Sequence, residues 1–318
     1  MTEPEWWDLW RRDPHATPFQ SPAWLQPWWT HLGGRGERLD LEVRDSSGRL
    51  IGLLPAWVWD DGAVRRLVPL GAGHSDYIDG LIDPEHEAEA LSGLRAALCE
   101  AAERWDELLL PDLRPDSPLR RLAADGWRVE ETEHETCPVL ALPSDRPVLA
   151  AMSKSRRRKI VHDHHRADHL GDVEVALAAT RDIPETLDAL FALHAQRWEA
   201  AGEPGVLADP AVQAFHREAA AALDPAGLLR LVTVRWRGEL RAVLHGFCDG
   251  RRGYSYINGV DREPAGQSFG TLAFARLIET ARADGAAEFH FLRGEEPYKY
   301  AWGAEPLRTL KLTIRRPG

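Results

Sequence analysis

Residues 227–260 read GLLRLVTVRWRGELRAVLHGFCDGRRGYSYINGV. From Leu228 to Trp236 branched and polar residues alternate, as on a strand with one face buried. Arg237-Gly238-Glu239 turns the chain, LRAVLHGFC makes a second strand, Asp249-Gly250-Arg251 turns it again, and RGYSYINGV makes a third. Tight turns between such strands predict an antiparallel meander. A loop, DREPAGQ, leads to a helical run over about 268–284 that stops at Gly285, and AAEFHFL is a further strand. A meander continued by a crossover helix and another strand predicts a mixed sheet with helices on its faces. In such a sheet a ligand can reach the place where strands diverge.

The first half repeats this order. LDLEVR, RLIGLLPAWVW and AVRRLVPLG read as three strands joined by DSSG and DDG turns. The loop AGHSDYIDGLI leads to a helix from Pro84 to about Arg104, with Asp83 as N-cap and Leu91, Leu94, Leu98 and Trp105 on one apolar face. DELLLPDL is the following strand. The element order, not the residue identities, recurs roughly 180–190 residues later. The fold class expected is α/β (α+β), with two domains at 1–142 and 150–318, each a mixed, mainly antiparallel sheet flanked by helices. The proline-containing stretch ALPSDRPVL, residues 141–149, is the expected linker.

Composition agrees with two domains, because 318 residues exceed what one core usually serves. A net charge of −11 excludes a surface that as a whole attracts DNA. Cys99, Cys137 and Cys248 are too few, too scattered and odd in number for a disulfide framework or a zinc site. No apolar run approaches the ~20 residues that span a bilayer, so no stable membrane insertion is expected. The opening MTEPEWWDLWRRDPH, acidic and aromatic, does not read as a signal peptide; a cytoplasmic location with reduced thiols follows. Trp6, Trp7, Trp10, Trp24, Trp28 and Trp29 read as an amphipathic cover on the first domain.

The two crossover-helix entrances differ in charge. Free N–H groups and the helix dipole make such an entrance an anion site. In the first half Asp83, Glu85 and Glu87 already supply negative charge and would repel a pyrophosphate. In the second no acid occurs from Gly266 to Arg276, and Gly266 and Gly270 permit close backbone approach. A phosphorylated cofactor is therefore expected in the second half, unless the glycines only shape a turn.

The meander followed by QSFGT at a helix start is similar to the acyl-CoA loop of the GNAT N-acyltransferase superfamily, matching the first part of its Gln/Arg-x-x-Gly-x-Gly/Ala pattern. With SKSRRRK, LHAQRW, FLRGEEPYKYAW, SPAWLQPWW, LIGLLPAW and GAGHSDYIDG, in that family's order along residues 19–313, the chain resembles CelD/BcsL-type acyltransferases. These are tandem-GNAT proteins related to FemAB peptidyltransferases. The resemblance implies transfer of an acyl group from acyl-CoA to an amine, on a small molecule or peptide, by direct attack in a cleft between the halves. The donor contacts it implies are Asn258, Val260, Gln267, Ser268, Phe269, Gly270 and Thr271. An aminoacyl-tRNA donor, as in FemAB proteins, stays open, and so does a non-catalytic binding role. The family commonly has Asp where this chain has His290.

Acyl transfer to an amine needs a proton acceptor, donors for the carbonyl oxygen and a proton for the leaving group. In a GNAT-like sheet the segment after the last of these strands lies beside the cofactor's sulfur. Tyr298 is then the expected proton donor to a thiolate, with Tyr300 second. Glu295 or Glu296 would take the amine's proton or bind a cation, and Lys299 would meet a carboxylate or phosphate. The same stretch also reads as a plain helix start with favourable acids and core aromatics. His194 shares an apolar helix face with Leu187, Leu190, Phe191 and Trp198, the pattern of a core histidine; the family match makes it catalytic, with Arg197 and Trp198 in the pocket. His74, Asp76 and Tyr77 lie in a glycine-bounded loop suited to an amine or hydroxyl, or to Asx turns. Lys154, Arg156, Arg157, Arg158, Lys159 and Arg166 form a basic island that is either a solvated face or a source of phosphate contacts, to CoA or to tRNA, through Lys154, Arg157 and Arg158. His162, His165 and His169 share one helix face beside it, but no metal is expected.

Overall fold

A computed structural model describes residues 1–34, 36–199, 202–261 and 268–316. Along the chain come α1 (Glu3–Arg12), α2 (Pro22–Leu32), β1 (Glu37–Arg38), β2 (Leu41–Arg44), β3 (Leu50–Leu54), β4 (Ala56–Asp60), β5 (Arg65–Pro69), β6 (Leu81–Ile82), α3 (Glu87–Glu100), β7 (Glu107–Leu113) and β8 (Arg128–Ala141). Then follow α4 (Val148–Ala151), α5 (Lys154–Leu170), β9 (Val173–Leu177), α6 (Ile183–Glu199), α7 (Pro210–Leu223), β10 (Leu229–Trp236), β11 (Glu239–Cys248), β12 (Arg252–Val260), α8 (Phe269–Ala283), β13 (Glu288–His290), α9 (Pro297–Ala301) and β14 (Glu305–Arg315).

The chain divides into a first unit, residues 1–135 with 308–318, and a second unit, residues 136–307. This differs from boundaries at 142 and 150. The physical reason is that β14 turns back: Leu310 to Arg315 pair antiparallel with Leu113 to Glu107 of β7, and Leu312 and Ile314 enter the first core. The alternation in TLKLTI is the sequence signal for that strand.

In the second unit β10, β11 and β12 are antiparallel neighbours, α8 crosses over, and β13 lies parallel to β12, as the meander predicts; β9, not expected, adds antiparallel to β10. Leu272, Phe274, Leu277, Ile278 and Ala281 of α8 sit in a core with Val232, Val234 and Leu244 of the sheet. In the first unit β4 and β5 are antiparallel and β7 returns parallel to β5 after α3. One strand expected there is in fact two. Pro55 splits RLIGLLPAWVW, so β3 joins β2 and β6 in a small sheet while β4 joins β1 and β5. Proline has no N–H for a ladder, and its carbonyl instead accepts from Leu70 N–H at 2.9 Å. A 3-10 turn from Pro84 to His86, capped by Asp83, precedes α3. Trp6, Trp24 and Trp28 of α1 and α2 are buried, and the Trp6 and Trp24 indole N–H groups donate to Gln20 O and Ser75 Oγ. No helix among the described residues is long and apolar enough to cross a membrane.

Candidate functional site

Among the described residues the start of α8 has neither a cap nor an acid. Ser268, at the N-cap position, makes no side-chain cap, and no acid occurs in the first turn. Buried Phe269 anchors the turn, its ring 6.3 Å from that of Trp236. A Cβ placed on Gly270 would meet only the Val260 side chain, at 3.4 and 3.7 Å. Packing therefore does not require glycine there; its missing side chain leaves backbone open to a ligand. Val260, Asn258 and Thr271 are half-buried beside it. Gln267 lies outside the described residues.

Beside this entrance the sheet opens. β12 and β13 pair only from Arg252–Glu288 to Tyr254–His290, after which β12 runs on to Val260. The β11–β12 register shifts between His245 and Gly246, leaving Tyr256 as the extra residue of a bulge that bends β12. Helices α6 and α8 both pack against β12 around this opening. Gly259 of β12 backs onto Leu193 and His194 of α6. The Arg197 charge acts on both His194 and Tyr298, and the Tyr298 ring lies 5.3 Å from Phe274 of α8. The structure thus brings together His194, Arg197, Trp198, Tyr298, Val260 and Gly270, residues far apart in sequence.

The chemistry of each group follows from its partners. His194 is buried, and its Nε2 accepts the Trp198 indole N–H at 2.9 Å. Indole is only a donor, so the neutral imidazole carries its proton on Nδ1. Burial, with Arg197 nearby, lowers the His194 pKa to about 4. His194 is therefore a neutral group without a free basic nitrogen. Tyr298 is 36% exposed. Partial burial of its ring, and then the Glu296 carboxylate, push its pKa up, so the phenol keeps its proton at neutral pH and remains a donor. Glu295 is exposed and accepts from the Tyr300 hydroxyl at 3.2 Å.

Lys299 has a different place from the one expected. It is buried, and its Nζ donates to the carbonyls of Leu292 (3.1 Å), Arg293 (2.5 Å) and Gly294 (3.1 Å), with Glu296 at 2.9 Å. Its charge is spent inside the turn, not on a substrate anion. The turn needs that charge. Leu292 has φ +58, unfavourable for a bulky residue, and the space a Gly294 side chain would take holds the Glu296 carboxylate.

The first-unit loop is likewise more internal than its sequence suggests. Tyr77 is buried against Phe19 and under Arg114, and its carbonyl accepts from Gln20, which makes it core. His74 Nδ1 accepts from the Trp28 indole at 3.3 Å, and Asp76 is 9% exposed. Asp79 accepts from Ser117 and Gly80, and burial raises its pKa to about 7 against the opposing Arg114 charge.

On α5, Lys154, Arg157 and Arg158 make no ion pair with any described residue. Arg156 of the same basic island instead stacks over the Trp302 ring at 4.2 Å. Among the described residues no group of three His, Cys, Asp or Glu could hold a metal ion, so His162, His165 and His169 do not converge. His290 is buried, with its ring 5.3 Å from Tyr254.

Comparison with known proteins adds a family match over part of the chain. Residues 154–300 match the model of the Acetyltransferase (GNAT) domain. A search of the curated proteins found no match. Among solved structures the chain is similar to FemX, at TM-score 0.72 and 12% identity over 98% of this chain and 96% of that one. It is also similar to the C-terminal domain of a putative lysylphosphatidylglycerol synthetase from Agrobacterium fabrum (TM-score 0.59, 11% identity, 99% and 92% covered). A third is a tandem GNAT protein from the clavulanic acid biosynthesis pathway (TM-score 0.52, 16% identity, 100% and 95% covered). At these identities the likeness is one of fold. Residues 154–300 thus match the GNAT domain model, and the chain as a whole has a tandem-GNAT fold similar to that of FemX.

Proposed function

We propose that the chain is an N-acyltransferase of the CelD/BcsL type that takes an acyl group from acyl-CoA and delivers it to an amine. The observation carrying this reading is the acid-free, uncapped start of α8 beside the point where β12 and β13 part. First-turn N–H groups of α8 would hold the pyrophosphate, with Gly270 leaving room and Asn258 and Val260 lining the approach. Acyl-CoA, when bound, supplies a carbonyl activated as a thioester. Tyr298, protonated at neutral pH, donates a proton to the leaving sulfur. Arg197 and Trp198 shape the pocket, while Lys299 holds the turn that presents Tyr298. His74 and Asp76 of the first unit are proposed acceptor contacts. Thermal unfolding in a CoA titration tests the donor. Stabilisation that saturates, by about 2.7 kcal/mol at a hundredfold excess over Kd, supports it.

Lys154, Arg157 and Arg158, which pair with no described residue, favour one second reading, an aminoacyl-tRNA donor. No response to CoA, together with a salt-sensitive mobility shift of aminoacylated tRNA that Arg157→Gln/Arg158→Gln weakens, would put it first.

A further inference from the structure

Two apolar pockets of the second unit have the same volume, 380 Å³, and differ in charge. One lies between α6 and α7, with Arg217 and Asp224 among its lining residues, and Arg217 is already paired with Asp188 at 2.7 Å. Its cation is spent on its own chain. The other lies where α4, α5, β9 and α8 meet, and its polar lining is Arg276, Glu279 and His164. Glu279 is paired with Arg282 at 3.0 Å, whereas Arg276, exposed, pairs with no described residue. This second pocket joins an apolar interior to an uncommitted guanidinium.

The spacing along α8 builds one wall. Leu272, Ala275 and Glu279 recur at three and four residues and share a stripe, with Arg276 beside them. Ala275, the smallest of these, makes the helix surface dip where the pocket lies. Val148 and Met152, in and just after α4, form a second wall, and Val175 of β9 a third. The unbranched Met152 side chain adapts to what it packs against. Trp302, 1% exposed, closes the space and is itself covered by Arg156 at 4.2 Å. Such walls offer hydrocarbon, so the part of a ligand that enters must be apolar. The volume is at the small end of the about 300–1,000 Å³ of ligand pockets, room for one chain rather than a helix or a two-chain lipid. The arginine fork matches one carboxylate through two parallel hydrogen bonds, and the His164 ring is a further polar group in the lining.

We propose that this pocket binds a single-chain fatty carboxylate, with the hydrocarbon tail between α4 and α8 and the head on Arg276. The site is independent of the acyl-donor reading. Ala275, Arg276 and Glu279 lie more than one turn beyond the start of α8, and binding involves no group transfer.

Calorimetric titration of the full chain with decanoate, octanoate, decanol and decylamine, each below its micelle concentration, tests this. A buried methylene should tighten binding about fourfold, so decanoate should bind roughly fifteenfold more tightly than octanoate. Decanol and decylamine, which bring no anion to Arg276, should bind at least about tenfold more weakly than decanoate. Ala275→Phe, which fills the pocket, should remove decanoate and decanol binding together. Arg276→Glu alters an exposed side chain, keeps the fold and should reverse the order, with decylamine ahead of decanoate. It decides the matter should Ala275→Phe not fold. Equal affinity for octanoate and decanoate, or decanol or decylamine matching decanoate on the unaltered protein, would overturn the proposal. So would decanoate affinity that Arg276→Glu leaves unchanged, or no saturable binding of decanoate at all.

Discussion

The helices α3 and α8 each cross between two parallel strands, yet their starts are in opposite electrostatic states. Ahead of α3, Asp83 caps the turn and pairs with Arg12, and Glu87 pairs with Arg121. That entrance has satisfied its own dipole with side chains. At the described start of α8, Ser268 makes no side-chain cap and the first turn carries no acid. The second unit instead concentrates its internal charge in the turn before α9, where Lys299 gathers three carbonyls. A helix start without a side-chain cap or a first-turn acid is where a ligand can supply negative charge. The comparison therefore separates a scaffold entrance from a binding entrance within one architecture.

The sharpest way to break that contrast is Gly270→Glu, which gives α8 the acid α3 already has. The backbone has room for the side chain, so the fold should survive while CoA binding falls by more than about 100-fold, about 2.7 kcal/mol. Undiminished stabilisation by CoA would remove the α8 entrance from consideration. Lys299→Met should cost about 3 kcal/mol in urea unfolding, since it strands buried carbonyls. A loss below about 1 kcal/mol would mean that the turn holds itself. Tyr298→Phe should lower kcat by about 100-fold with little change in donor KM, because only the hydroxyl goes; an effect on KM alone would assign the ring to binding.

A smaller effect concerns pH. His194 has a folded pKa of about 4, below the ordinary 6.5 of the unfolded chain. The unfolded state therefore binds the proton more readily, and stability from neutral His194 is complete above about pH 6.5 and lost as pH falls towards 4. His194→Asn should flatten the stability profile across that window by about 1–3 kcal/mol; an unchanged slope would show that His194 protonates without penalty. Smallest is Asp83→Asn, expected to cost about 1 kcal/mol, since Arg12 keeps Asp8 and Leu50 O as partners, and to create no CoA site. Any CoA binding gained in the first unit would show that charge alone separates the two entrances.

Much of the second unit was legible because its signals are local. Alternation over 228–260, two tight turns and an uncharged helix start each lie within a short window. The first unit was harder. Pro55 was visible, but that it sends β3 and β4 to different sheets depends on partners remote in sequence. β8 was missed because its first seven residues, Arg128 to His134, are all exposed and carry no alternation of burial. Lys299 read as a substrate contact since its spacing from the Leu292–Gly294 carbonyls is invisible until the turn closes. Arg156 was passed over for its neighbours, as only packing shows which arginine of the run faces Trp302.

The sequence by itself determined the meander, the crossover helices and the charge difference between their entrances, since backbone periodicity, turn chemistry and helix-terminal charge act over a few residues. Tertiary structure alone decided that the last strand returns to the first unit and that Lys299 serves the turn. Those outcomes depend on which distant groups share a buried space, where an unpaired charge or carbonyl costs more than any local preference can supply.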